Sequence, residues 1–157
     1  LQDTELKFAH VGDSRLYRVT QRHGLEQLTV DHEVGQRNIA KGMSPQVAYA
    51  RPDAFQLTQA LGPRPEQALS IEVQTLNLTE DTLFLFCSDG LTDDHLLERN
   101  WESHLKPLLD FQTPLDEGVE QLIQLANQEN GHDNITIIAV RAQVELRTIS
   151  HSLGQDS

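Results

Sequence analysis

Cysteine is almost absent: Cys87 stands alone inside an apolar run, so no internal disulfide can form. A disulfide-stapled secreted module is excluded, and a reducing compartment, by default the cytoplasm, is expected. Positive charge is scarce as well, with 12 Lys and Arg against 24 Asp and Glu and a formal net charge of −12. Such a surface repels nucleic-acid phosphates and anionic headgroups, so neither nucleic acid nor a membrane is an expected partner. Long hydrophobic runs are also missing. The longest, Leu83 to Cys87, falls far short of the ~20 residues a membrane span requires, and no charged-then-apolar leader opens the chain. The first residues are Leu1-Gln2-Asp3 with no initiator methionine, and the expectation is a piece of something longer.

What remains is the composition of an ordinary globular protein, 38% hydrophobic and 23% charged, with aromatics at only 5%. A chain of 157 residues suits one domain able to bury roughly 68–70% of its unfolded surface. Along it, Leu6 to Val11, the turn residues Gly12-Asp13-Ser14, and Leu16 to Val19 predict a β-hairpin. Gly24 separates this from a short strand over 25–30. Residues 31–65 are polar and rich in Gly and Pro, with short helices expected at 33–41 and 45–50, and they read as a flap. Ile71, Val73 and Thr75 alternate as in a strand, and Leu83 to Cys87 suits a strand buried on both faces. Leu97, Trp101, Leu105 and Leu108 recur at helical spacing up to the limit set by Pro107, and Leu115, Val119, Leu122, Ile123 and Ala126 make a second amphipathic stripe. Ile135 to Val140 predicts a last buried strand before a polar tail over 143–157.

Three acidic segments stand at expected strand ends: Gly12-Asp13-Ser14-Arg15, Ser88-Asp89-Gly90 and Gly131-His132-Asp133-Asn134. Taken singly, each Asp also reads as a turn residue. Taken together, carboxylates converging from separate strand ends suit a hard cation, because oxygen ligands favour magnesium, manganese or calcium.

Order and context narrow this. Gly12-Asp13-Ser14-Arg15, Thr29-Val30-Asp31-His32, Leu57-Thr58-Gln59-Ala60-Leu61-Gly62, Cys87-Ser88-Asp89-Gly90-Leu91 and Asp133-Asn134-Ile135-Thr136 follow one another as in the PPM-type, or type-2C, serine/threonine protein phosphatases. The chain resembles the C-terminal part of that catalytic domain, bacterial-like, over about residues 5–142, with the flap at about 31–65. The resemblance implies an α+β fold: an antiparallel β-sandwich flanked by helices in four layers, αββα, with the N-terminal strands missing. Leu83–Cys87 and Ile135–Val140 would be its central strands.

Carried over residue by residue, the resemblance makes Asp89 and Asp133 ligands of a two-metal centre for Mn2+ or Mg2+, and Asp13 with Asp89 a third, weaker site. Asn134 and Gly90 would lie behind the ligands. No side chain is the nucleophile; in that family a metal-activated water attacks the phosphorus of phosphoserine or phosphothreonine in a signalling protein. The family's phosphate-binding Arg, bridging Asp-Gly segment and nearby His are not among the residues before Asp13, so this chain alone is expected to be weak or inactive. The alternative is a non-catalytic regulatory or interaction domain that keeps the fold, and either version is expected to self-associate or to pair with a missing N-terminal segment.

Rival chemistries fail on spacing. A cysteine phosphatase needs an Arg six residues after Cys87, where Asp93 stands; a haloacid-dehalogenase-like site needs an acid at Leu91; Ser14 and Ser88 lack a Gly-x-Ser-x-Gly elbow. Cys87 reads as core filler, His132 as a turn residue, His32 as a support for the flap base, and Arg15 as the partner of a neighbouring carboxylate.

Overall fold

The computed structural model describes residues 4–62, 69–129, 131 and 133–145. Expectations for the flap end at 63–65, for His132 and for the tail from 146 onward lie outside the described residues.

Two antiparallel sheets and one layer of helices make up the described chain. Strands β1 (Glu5–Phe8) and β4 (Gln74–Asn77) pair in a two-stranded sheet, Leu6 opposite Leu76. Strands β2 (Arg15–Thr20), β3 (Gly24–Gln27), β5 (Thr82–Cys87) and β6 (Ile137–Ala142) form a four-stranded sheet in the order β3-β2-β5-β6. The segment expected to form a flap carries α1 (Val34–Ala40) and α2 (Pro45–Tyr49), the latter opening on the proline that a first helical turn tolerates. After β5 come α3 (Asp89–Thr92), α4 (Leu96–His104), a 3-10 turn over Lys106–Leu109 and α5 (Leu115–Glu129).

Alternation along β2 and β5 sends successive side chains to opposite faces and makes two cores. Tyr17, Val19, Leu83, Leu85 and Cys87 face the helices and pack with Leu91, Leu97, Leu105 and Leu122. Leu16 and Phe84 face the other way and meet Leu6, Phe8 and Leu76 of the small sheet. The fold is thus α+β with antiparallel sheets facing each other across an apolar layer, and helices covering one outer face.

Three details of the expected fold are corrected. β1 and β2 do not form a hairpin: β2 has both edges occupied by β3 and β5, so β1 is left to pair with β4 in the other sheet. The last strand runs two residues later than expected and, among the described residues, lies at the sheet edge rather than centrally, with Ile138 58% and Val140 44% exposed. β5 is central but not sealed on both faces, because Phe86, opposite Ile138, is 38% exposed where the small sheet does not reach. A run of apolar residues cannot distinguish a covered face from a bare one.

Candidate metal centre

The antiparallel register brings the acids together. In the β2–β5 ladder Arg15 pairs with Cys87, so the turn carrying Asp13 and the start of α3 carrying Asp89 leave the same end of the ladder, near enough for the charge of Asp13 to act on Asp89. Cys87 also pairs with Ile137, so the segment carrying Asp133 enters from the other side of β5.

Ser88 joins that segment to the start of α3. Its hydroxyl donates to the Asn134 carbonyl (3.0 Å) and accepts from the Thr136 amide (3.0 Å), while its own amide donates to the Thr136 carbonyl (3.2 Å). Gly90 permits the approach: a Cβ there would lie 2.6 Å from the Asn134 carbonyl oxygen. Asp89 accepts the Gly90 amide (2.9 Å) and Asp133 accepts the Asn134 amide (2.7 Å), which leaves each carboxylate with an oxygen to spare. The carbonyl of Asn134, rather than its exposed side chain, makes the contacts behind the site.

Burial first, and then the charges of Asp13, Asp133 and Asp93, hold the Asp89 carboxyl above the usual carboxylate range, against the lowering effect of the Gly90 amide. Among the described residues no basic side chain pairs with Asp13, Asp89 or Asp133. A carboxylate whose proton affinity is raised by burial and by unneutralised acidic neighbours is donor chemistry that a hard divalent cation relieves. The donors therefore fit Mg2+ or Mn2+ in kind. They do not close a site: among the described residues no group of three or more His, Cys, Asp or Glu side chains is close enough to hold an ion.

Asp93 was not singled out by sequence; its four-residue spacing from Asp89, which returns a helical chain to the same side, was the available signal.

A four-residue splint positions Asp13. In Thr29-Val30-Asp31-His32, Thr29 Oγ1 accepts the Leu16 amide (3.1 Å), Asp31 takes the Arg15 guanidinium through Nε (3.0 and 3.1 Å) and Nη2 (2.7 Å), and His32 Nδ1 accepts the Gly12 amide (3.1 Å). The Gln27 amide also donates to Asp31 (3.2 Å), whose residue is 4% exposed. Burial works against the charge on Arg15, and the hydrogen bond to Asp31 together with the interactions with Tyr17 outweighs it, holding the guanidinium firmly protonated. The flap is tied to the same splint, since the Thr58 amide donates to the His32 carbonyl (2.7 Å) and Tyr49 donates to Glu33 (2.9 Å). Cys87 faces the helical core, and burial pushes its thiol up to about 12. It is inert filler, as its surroundings in sequence suggested.

Beside the acids, a cleft of about 410 Å³ opens between the two sheets, lined by Phe8, His10, Arg15, Phe86, Ser88 and Ile138 among others.

Comparison with known proteins places the fold. The family model of Stage II sporulation protein E (SpoIIE) matches residues 28–143. The chain is 32% identical over 146 residues to protein phosphatase PhpP of Streptococcus pneumoniae, covering 91% of this chain and 55% of PhpP. It is 35% identical over 144 residues to the serine/threonine phosphatase stp of Listeria monocytogenes, covering 89% and 53%. The chain thus spans about half the length of the curated relatives it matches. Among solved structures, the serine/threonine phosphatase PstP/Ppp of Mycobacterium tuberculosis superposes with a TM-score of 0.72 at 26% identity, over 92% of this chain and 57% of that one. The PstP catalytic domain in complex with two manganese ions gives 0.66 at 26% identity, over 92% and 56%. By its family model, its relatives and its fold, this chain belongs to the SpoIIE/PPM-type family of serine/threonine phosphatases.

Proposed function

We propose that this chain carries the Asp13, Asp89 and Asp133 face of a metal-dependent phosphatase acting on phosphoserine and phosphothreonine in cytoplasmic signalling proteins. The observation that carries the reading is the buried Asp89 carboxyl, held above its usual range with Asp13 and Asp133 adding to the effect, and with no basic side chain among the described residues pairing with it. Asp89 and Asp133 would hold the principal pair of Mn2+ or Mg2+ ions, and Asp13 with Asp89 a third. Bound cations would supply Lewis-acid activation of solvent water and neutralise charge on the phosphoryl group. The chain's own residues orient the donors. Ser88 and Gly90 hold the Asp133 segment against α3, and Arg15, Asp31 and His32 hold the turn that carries Asp13.

A second reading, a regulatory or interaction domain that retains the phosphatase fold, draws support from the acids' failure to close a site among the described residues. Both readings expect weak metal binding here, with a manganese dissociation constant weaker than about 1 μM because so few carboxylates converge. Phosphate release from a phosphothreonine peptide, measured with the rest of the family's catalytic domain supplied on the same chain, separates them. The enzyme reading expects manganese-dependent release that Asp89→Asn and Asp133→Asn each abolish while the circular dichroism spectrum is unchanged. Near-normal turnover in either variant removes that residue from the site, and no release from the completed domain at any manganese concentration leaves the regulatory reading.

A further inference from the structure

Two histidines stack at the turn that carries Asp13. The rings of His10 and His32 lie 4.5 Å apart and 9° from parallel. Each also bonds the backbone: His32 Nδ1 accepts the Gly12 amide (3.1 Å), and His10 Nε2 donates to the Val30 carbonyl (2.9 Å). The clasp on Gly12 is reciprocal, because the His32 amide donates to the Gly12 carbonyl (2.9 Å). Gly12 itself sits at φ +105°, a conformation held by such bonds rather than by a side chain.

The two rings differ in what a proton does to them. An imidazolium has N–H at both nitrogens and accepts nothing. His10 already uses its nitrogen as a donor and keeps its bond when charged. His32 uses Nδ1 as an acceptor, so protonation there turns an attraction for the Gly12 amide into two opposed N–H groups.

We propose that His10 and His32 form a proton-sensitive clasp that fixes the Gly12–Asp13 turn while His32 is neutral and releases it when His32 is charged. The structural half of this stands on the stacking and the hydrogen bonds alone; its consequence for the carboxylates around Asp89 rests on the phosphatase reading. Asp31 is occupied by Arg15, Glu33 is bound by Tyr49, and Glu72 lines the cleft that His10 and His32 share with Val30 and Gln74. Burial and then the neighbouring His10 hold His32 below the usual imidazole value of about 6.5, against the opposing pull of Asp31. The sign follows: neutral His32 is favoured by the fold, the clasp is complete above about pH 6.5, and it is lost as pH falls through the lower folded value.

The test is a histidine and amide titration of the chain by NMR between about pH 5 and pH 8, a range bracketing the imidazole value. His32 is expected to titrate below the usual imidazole value, with the Gly12 amide resonance moving at the His32 inflection. His32→Asn places an oxygen near the Nδ1 position and cannot take up a proton, so Gly12 should stay at its high-pH position throughout. His10→Gln removes the neighbouring charge and should raise the His32 inflection. A Gly12 amide that ignores the His32 inflection, or that still titrates in His32→Asn, overturns the proposal. Neither readout needs metal or catalysis, so failure of the phosphatase reading leaves the test intact.

Discussion

Asp31 shows how much one buried side chain does here. Its carboxylate takes three contacts from Arg15 and one from Gln27 while almost wholly excluded from water. Removing one partner of such a pair leaves the other charge uncompensated, at a cost of about 3 kcal/mol or more. Asp31→Ala should therefore lose roughly 3 kcal/mol in urea unfolding, a large fraction of the 5–15 kcal/mol typical of a domain; a loss under about 1 kcal/mol would show that water repairs the gap. Asp89 predicts the opposite direction. Its carboxyl is held above the usual range, so the fold keeps its proton to a higher pH than the unfolded chain does, and stability falls as pH rises from about 3.9 through the folded value. Asp89→Asn keeps an oxygen for the Gly90 amide and drops the charge, and should raise the melting temperature at neutral pH with the gain vanishing toward pH 4. Manganese should raise the melting temperature of the parent chain and not of the variant. Calorimetric scans check both, and a variant that melts lower at neutral pH contradicts the charge argument.

At the scale of elements, the joint between α3 and the segment before β6 decides whether Asp89 and Asp133 can act together. Gly90 lies where a methyl group would strike a backbone carbonyl, which cannot rotate away as a side-chain end can. Gly90→Ala should cost about 1–3 kcal/mol from overpacking, beyond the roughly 1 kcal/mol that alanine gains over glycine in a helix. It should also weaken manganese binding more than its loss of stability explains. Thermal unfolding beside a manganese titration separates the two effects; unchanged stability would mean the loop moves freely and the joint is not tight. Most elements were legible in advance because their signals are local: Pro45 opening α2, the stripe of Leu115, Leu122 and Ala126 on α5, and the apolar run of β5. The partner of β1 was not, since strand pairing across 66 or more residues depends on which edges are already taken.

For the whole molecule, the bare strip on β5 and β6 is the main liability. Phe86, Ile138 and Val140 are exposed on a face that the two-stranded sheet only partly covers, next to β6, whose outer edge no strand among the described residues pairs with. Apolar side chains beside unpaired backbone groups form a template for another strand. The chain is expected to self-associate with rising concentration, by strand pairing at β6, and Ile138→Lys should shift it toward monomer while leaving the helical core intact. Sedimentation at several concentrations checks this, and a monomer throughout would show that the strip is covered in solution. No helix among the described residues is long and apolar enough to cross a membrane.

The sequence by itself determined the family, the acids and most helices and strands, because motif order, periodicity and turn chemistry are written in neighbouring residues. Thr29, Asp31 and His32 could be picked out as a pattern, but their service to Leu16, Arg15 and Gly12 could not. Only the tertiary structure decided which strands pair, which face of β5 is exposed, and that the segments carrying Asp13 and Asp89 leave the same end of the β2–β5 ladder. Those outcomes depend on register and on competition for edges between segments distant in the chain, and a single residue of slip would send every side chain to the other face.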